Sequence, residues 1–478
     1  MTAPSIHNFL AIDLGASNGR VVRGQLNQDR FNFQIIHRFE HAIQFIDGHK
    51  RWDWNTILHN IRAGLSQAVE QIGDEPIVSL SCDAWAQDFG LLDKTGRLIY
   101  SPVSYRDARS QKIPEDYFQQ LTPDDLIRRV GGGISPISTL CQLHAMARQE
   151  PVALKNAATL LHIADLVHFD LCGKAATDWT LSTASQLRNL QTGEWDRELM
   201  TSMGIPHHFL PNMINKPGLL GSVTKEQAPH ARLAGVPVVV TANHDTAAAS
   251  AAAVPLDHET LFLSAGTYSM LGCVFDEPNI PKDAVSEESA ILGLADRRWG
   301  VFVSIPGLWT IQEYLRCLKQ DGETPISYDQ LLAEAKQSRI DSRIRLSDAR
   351  FHAPRNMRDE IQHACAETGV QQPRTPGEFA RVIFESLVEE YQAAIDRLAR
   401  LTSRRFRCLR IVSGGSRNPY LCQRLSDVLQ CPVIAGPAEA TAIGNILLQA
   451  RVMKVISSSK HAANILQKTF PPTRYVPL

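Results

Sequence analysis

Long apolar runs, paired cysteines and net charge are all scarce in this chain of 478 residues. No stretch approaches the roughly 18 uninterrupted apolar residues that a membrane-spanning helix needs. The N-terminus shows no basic segment and apolar core ahead of its first strand, so a secretory leader is not expected. The nine cysteines are scattered singly, with no C-x-x-C. That pattern argues for a reducing cytoplasm and against a disulfide framework. The histidine pair at 207–208 has no partner cluster, so a structural zinc site is not expected. A formal net charge of −1 leaves no footprint for nucleic acid or an anionic membrane. Two nucleotide motifs are also missing. No G-x-x-x-x-G-K-[ST] is present, which excludes a P-loop. No G-x-G-x-x-G follows a strand, which disfavours a dinucleotide-binding Rossmann domain.

What is present is an ordinary soluble composition, 44 % hydrophobic and 21 % charged. The length suggests two or three domains at about 100–200 residues each. The opening, FLAIDLGASNGRVVRGQL, reads strand, tight turn, strand. FNFQIIHRF alternates as a further strand, and TILHNIRAGLSQAVEQI has helical spacing. IVSLSCDAW is a buried strand ending on Asp83. FGLLDKTGRLIYSPVSY reads as a hairpin turning at 94–96, and helices are expected to dominate from about 114 to 203. TLFLSAGTYSMLGCVF is again strand, small-residue turn, strand. CLRIVSGGSRNPYLCQRLSDVL is strand, glycine turn, helix. The strand–turn–strand unit thus occurs once in each half. Two α/β domains are expected, 1–242 and 243–478, with a ligand cleft at their junction.

Three segments carry candidate chemistry. In VVVTANHDTAAASAAA, at 238–253, His244 and Asp245 occupy the turn between an apolar strand and an alanine-rich helix. Asp245 as a helix cap and His244 as a satisfied buried histidine are the plain readings. In DLGASNG, at 13–19, Gly15 and Gly19 are expected at positive φ. Ala16, Ser17 and Asn18 keep that hairpin narrow, so its amides suit a phosphate. Asp13, ending the strand, suits a hydrated Mg²⁺. A plain hairpin with a solvated aspartate is the alternative. LSAGTYS, at 263–269, repeats the device with Gly266 and Thr267. SGGSRN, at 413–418, lets backbone approach a ligand closely, or is simply a helix-entry turn.

As a set, AIDLGASNGR, CDAWAQDFGLLD, YRDAR, ANHDTAAA, LSAGTYSMLG, SGGSRN and AGPAEATAIGNI resemble the FGGY carbohydrate kinases, in order, from about residue 9 to 450. The resemblance implies an α/β fold of two ribonuclease H-like (actin/hexokinase-type) domains with an interdomain cleft. It implies an ATP-dependent kinase for a ketose, with L-rhamnulose giving the 1-phosphate as the leading substrate. L-Fuculose, L-xylulose and L-ribulose are the alternatives. It places the catalytic base on Asp245 and the sugar site on Asp83, Trp85, Ala86, Gln87, His244, Asp245 and Thr246. ATP would meet Ala16, Ser17, Asn18, Gly19 and Arg20, and also Gly266, Thr267, Ser304, Gln312, Gly414, Gly415 and Asn418. Asp13 would serve Mg²⁺. The partners implied are the sugar and ATP, with a homodimer left open.

A carboxylate on Asp245 gives the turn a function. A sugar hydroxyl must lose its proton as its oxygen bonds to phosphorus, and a carboxylate within hydrogen-bond reach can take it. The branch most resembled typically reads Asp-Thr-Trp-Gly-Val-Asp where this chain has Asp83-Ala84-Trp85-Ala86-Gln87-Asp88. Ala86 and Gln87 are therefore expected to reshape the sugar pocket, and Ser304 replaces a nucleotide-contacting Asn. A non-catalytic sugar sensor on the same fold is the reading of a different class. Asp13 and Asp245, which a sensor does not need, speak against it.

Overall fold

The structure is a computed structural model that describes residues 6–111, 122–278, 289–322, 326–352 and 354–478. By packing, the chain divides into two compact units. The first comprises residues 1–255, 275–301 and 440–471, the second 256–274, 302–439 and 472–478.

The first unit is built on a six-stranded sheet. Strand Ile6–Leu14 is buried along almost its whole length, as its apolar run FLAI requires. It pairs antiparallel with Asn18–Asn27, which pairs antiparallel with Arg30–Glu40. On its other side Ile77–Ala84 runs parallel, followed by Pro237–Val240, also parallel, and the edge strand Gly218–Ser222. Helix Trp54–Ile72 starts on an Asp53 cap and buries Ile57, Ile61, Leu65, Ala68 and Ile72 at helical spacing. Its Gly64 approaches Val21 of the second strand. On that same strand Gly24 is approached by Ile446 of helix Ala440–Val452. Positions three apart on a strand point to opposite faces, so the two helices cover the two faces of the sheet.

Between Ile77–Ala84 and Pro237–Val240 lies a largely helical insertion. It contains the expected helices, including Pro123–Val130, Thr139–Gln149 and Ile163–Cys172. Residues 114–121 of the expected helical stretch lie outside the described residues. The insertion also contains strands Thr159–His162 and Ala176–Asp178, which are too short for a period-two pattern to announce. The expected turn at 94–96 is present, with Gly96 at φ 80° and Asp93 Oδ1 accepting from the Thr95 and Arg97 amides.

The second unit repeats the plan. Thr260–Ala265 pairs antiparallel with Tyr268–Phe275 and parallel with Cys408–Val412. Val433–Ala435 and Thr473–Tyr475 extend that sheet. Helix Pro376–Thr402 begins with a Thr375/Glu378 capping box and a proline in its first turn. It buries Phe379, Ile383, Phe384, Leu387, Tyr391 and Leu398. None of the nine cysteines forms a disulfide, and seven of them are buried. Among the described residues no helix is long and apolar enough to cross a membrane.

Candidate active site

Three neighbouring parallel strands of the first unit end together. Asp13 and Asp83 are register partners at the ends of Ile6–Leu14 and Ile77–Ala84. The segment after Pro237–Val240 joins them, because the Ala84 amide donates to the Asn243 carbonyl at 2.8 Å and Ala84 pairs with His244. This is the edge of an α/β sheet where ligands generally bind, beyond the carboxyl ends of the strands.

Asp245 opens helix Asp245–Ala252, and His244 takes the cap position without a capping side-chain bond. The cap expected of Asp245 is thus corrected. Pairing with Ala84 holds His244 extended, at φ −81° and ψ 126°, so helical geometry starts one residue later. The carboxylate turns onto its own helix instead, where Oδ1 accepts from the Thr246 amide at 2.5 Å and its hydroxyl at 3.2 Å. His244 Nε2 lies 3.3 Å from that oxygen, while the Asp245 side chain keeps 30 % of its surface accessible. Burial pushes the Asp245 pKa up to about 6, against the opposing Thr246 bonds. Burial, with His162 nearby, pushes His244 down to about 4, so its ring is neutral at pH 7. A part-accessible carboxylate beside a neutral imidazole is equipped to accept a proton.

The turn is anchored from the insertion by residues that sequence reasoning missed. The Asn243 amide donates to Asp178 Oδ2 at 3.2 Å and its side chain to Asp165 Oδ1 at 3.0 Å. The His244 amide donates to Thr180 Oγ1 at 3.1 Å. These partners lie more than 60 residues upstream, and no local spacing marks them. Asn445, inside the quoted AGPAEATAIGNI but given no role, donates to Asp83 Oδ2 at 2.5 Å.

That bond holds Asp83, whose side chain is fully buried at the end of its strand. Burial, and then the charge of Asp13, hold its pKa well above the usual carboxylate range. Trp85 is positioned by Asp88, whose Oδ2 accepts from the Trp85 indole at 3.0 Å and the Trp52 indole at 2.7 Å. Trp85 is buried against Trp52 and His41, with ring centroids 4.7 and 5.2 Å away. Ala86, His244 and Thr246 are also mostly buried.

Gln87 is half-buried. Its carbonyl accepts from Thr139 Oγ1 at 2.8 Å and Gln142 Nε2 at 3.2 Å, and its side-chain oxygen accepts from the Thr139 amide at 3.3 Å. It therefore ties helix Thr139–Gln149 to the Trp85 segment. Its φ of 79° lies in the left-handed region, where a β-branched residue is strained. Gln87→Val is accordingly expected to cost about 1–3 kcal/mol, whereas Gln87→Gly relieves the backbone term. Urea unfolding of the pair checks this, and a Val variant as stable as the Gly variant contradicts it.

The hairpin at 14–19 closes through the Gly15 amide, which donates to the Asn18 carbonyl at 3.0 Å. Neither Gly15 nor Gly19 has positive φ, contrary to expectation. Gly19 is needed for space, because a Cβ there would overlap the Phe39 ring. Ser17 is exposed, and Ala16 and Asn18 are half-buried. Arg20 lies on the following strand, its Nε and Nη2 bonding Asp13 Oδ2 at 2.9 and 2.8 Å.

In the second unit the tip at Gly266 and Thr267 packs against the chain before helix Trp309–Gln320. The Leu308 amide donates to the Gly266 carbonyl at 2.9 Å and the Trp309 amide to the Thr267 carbonyl at 3.1 Å. Ser304 and Gln312 are exposed. Gly414 and Gly415 open a 3-10 turn, and the left-handed residue is the preceding Ser413, at φ 65°. Gly415 packs so closely on Ala265 that a Cβ would overlap its methyl. Asn418, expected at the nucleotide, is fully buried. It caps the next helix through the Leu421 amide at 3.0 Å and donates to the Tyr328 hydroxyl at 3.2 Å. Both ends of its amide therefore serve the fold.

Comparison with known proteins places this geometry. Residues 8–252 match the N-terminal domain of the FGGY family of carbohydrate kinases, and residues 261–453 match its C-terminal domain. A rhamnulokinase from Halalkalibacterium halodurans is 35 % identical over 98 % of this chain and 98 % of its own length. One from Yersinia pestis is 37 % identical over 97 % and 94 %. One from Bacteroides thetaiotaomicron is 31 % identical over 98 % and 96 %. Among solved structures, a gluconate kinase from Lactobacillus acidophilus aligns with a TM-score of 0.81 at 16 % identity, covering 99 % of this chain and 94 % of its own. Plasmodium falciparum glycerol kinase with ADP aligns at 0.80 and 14 %, with the same coverage.

Proposed function

The chain belongs to the FGGY family of carbohydrate kinases, and we propose that it transfers the γ-phosphoryl group of ATP to L-rhamnulose, giving L-rhamnulose 1-phosphate. The observation that carries this reading is the Asp245 carboxylate, part-accessible beyond the strand ends and backed by a neutral histidine. Relatives named rhamnulokinase over nearly the whole chain supply the substrate. L-Fuculose, L-xylulose and L-ribulose are the competing substrates. Nine cysteines without a disulfide agree with a cytoplasmic location.

In this reading Asp245 accepts the proton of the sugar's primary hydroxyl as that oxygen attacks phosphorus. Bond making and bond breaking at phosphorus need little covalent help, so positioning and charge stabilisation supply most of the rate. His244, Thr246, Trp85 and Ala86 form the sugar side. The backbone at 16–19 and Arg20 serve the phosphates. Gly266, Thr267, Ser304, Gln312, Gly414 and Gly415 serve the nucleotide. In this reading the unit of residues 1–255, 275–301 and 440–471 carries the sugar and phosphate-hairpin residues, and the unit of residues 256–274, 302–439 and 472–478 the nucleotide residues, so the division falls a little after the expected 242/243.

Mg²⁺ belongs to this reading as well. Asp83 Oδ1 is buried without a hydrogen-bond partner beside Asp13, and such a site fits a cation. Mg²⁺ commonly keeps several waters and takes one or two carboxylates. Asp13 would hold it, and the ion would offset phosphate charge.

The pH dependence tests the base. Burial raises the Asp245 pKa to about 6, and the base works only when ionised. The expected kcat is flat above about pH 7 and falls roughly tenfold per unit below about pH 6. A kcat unchanged down to pH 5 contradicts the assignment.

A further inference from the structure

Deeper than Asp245, three buried polar atoms have no hydrogen-bond partner: His244 Nδ1, His162 Nε2 and Asp165 Oδ2. His244 is part of the turn, Asp165 is bonded to its Asn243, and His162 lies beside Asp165. His162 ends strand Thr159–His162 and precedes helix Ile163–Cys172. On that helix, Asp165 Oδ1 accepts from the Asn243 side chain at 3.0 Å. His162 Nδ1 lies 3.4 Å from Thr177 Oγ1 and 3.6 Å from Asp165 Oδ2, the second beyond hydrogen-bond range.

The proton positions follow from the carboxylate outward. Ionised Asp245 can only accept, so the 3.3 Å contact with His244 Nε2 is favourable when that nitrogen carries the hydrogen. His244 is neutral, with burial the leading cause, and a neutral imidazole carries one N–H. Its Nδ1 is then bare and needs a donor. His162 lies beside Asp165, which holds Asn243, and its charge bears on His244; its unpartnered Nε2 is the donor that a ring rotation or one buried water would bring to His244 Nδ1. His162 must then keep Nδ1 bare, and the Thr177 hydroxyl is placed to donate to it. One direction of donation, from Thr177 through His162 and His244 to Asp245, satisfies every member except Asp165 Oδ2.

We propose that His162 is a positioning residue for the transfer: its Nε2–H locks His244 as the Nε2–H tautomer, which in turn fixes the Asp245 carboxylate toward the sugar. The groups facing the pair are Asp165, Thr177, Asp178 and Asp245. Asp178 is already held by Thr180, Leu181 and Asn243. The kinetic part rests on the proposed base, whereas the tautomer assignment does not.

The test is ¹⁵N NMR of the histidine rings in the full chain, with His244→Gln used to assign the signals, alongside kcat and KM for L-rhamnulose. In wild type, His244 is expected as the Nε2–H tautomer. In His162→Phe that signal is expected to become a tautomer mixture. Its kcat should fall by about tenfold or more, the usual size for losing an orienting partner, with sugar KM within about twofold. His162→Gln keeps a side-chain N–H donor and should recover most of kcat, which a merely space-filling role does not predict. If His162→Phe fails to fold, Thr177→Val frees the His162 tautomer with a smaller change and should give the same spectral mixture. An Nδ1–H tautomer at His244 in wild type, or an unchanged spectrum and kcat in the variants, overturns the proposal. Absence of L-rhamnulose turnover in wild type overturns the substrate reading alone, because the nitrogen spectrum stands without it.

Discussion

Asp245→Asn is expected to lower kcat by at least about 100-fold, a typical size for losing a general base. The amide is nearly isosteric. Its oxygen can still accept from the Thr246 amide and hydroxyl, so the helix start survives and sugar binding should be largely kept. What disappears is the group that takes the hydroxyl proton. The same change carries a stability signature of known sign. Burial raises the folded pKa to about 6, above the ordinary aspartate value of 3.8. Such a group favours the folded state while protonated, and that contribution is lost as pH rises through about 6. At pH 8 the wild type therefore holds an ionised carboxylate in a partly desolvated position, and the neutral amide does not. Tm at pH 8 should be equal to or higher than that of wild type, and the gain should shrink as pH falls below about 6 and vanish only below the ordinary aspartate value of 3.8. Lower kcat with an unharmed fold separates a catalytic role from a structural one. A loss below tenfold would remove Asp245 from the role of base.

The second large effect is expected from Gly444→Ala. Alanine is the better helix former by about 1 kcal/mol, so propensity alone predicts a gain in helix Ala440–Val452. The packing predicts the opposite sign. A Cβ at Gly444 would overlap the carbonyl oxygen of Ala248, on the helix that begins with Asp245. That obstacle is backbone and has no rotamer to yield. The two helices must part, or helix Asp245–Ala252 must shift, and overpacking of this kind costs about 1–3 kcal/mol or more. Urea unfolding is expected to show a net loss of about 2 kcal/mol, the upper end of that cost less the propensity gain. The shift should also disturb kcat, because Asp245 and the buried Asn445–Asp83 bond both ride on the affected helices. A variant as stable as wild type would contradict the close approach.

These residues show what the sequence could and could not disclose. Strand–turn–strand units and buried strands were legible because apolar alternation and small-residue turns are local signals. Asp245 stands out in the sequence because an ionisable pair separates an apolar strand from an alanine-rich helix, and what the structure adds is a part-accessible carboxylate at that turn. Gly19 was singled out correctly for the wrong reason: the need is for space beside Phe39, and a contact 20 residues away leaves no trace in local spacing. Left-handed backbone is expected at Gly15 and Gly19 and is absent from both, whereas Gln87 and Ser413 near the candidate motifs adopt it, Gln87 while bonded to Thr139. Asp83 and Asn418 had motif-like neighbours, but burial turned both inward. Asp165, Asp178 and Thr180 could not be foreseen. They reach the turn at Asn243 and His244 only through the fold of the insertion, and each would pass as an ordinary cap or core residue in isolation.

The central claim is phosphoryl transfer to a specific ketose, and ADP release measured with a panel of ketoses tests it most directly. The account predicts sugar-dependent ADP formation by wild type, with the highest kcat/KM for L-rhamnulose over L-fuculose, L-xylulose and L-ribulose, and near-silence in Asp245→Asn. ADP release that no ketose raises above background, or that Asp245→Asn leaves intact, would contradict it.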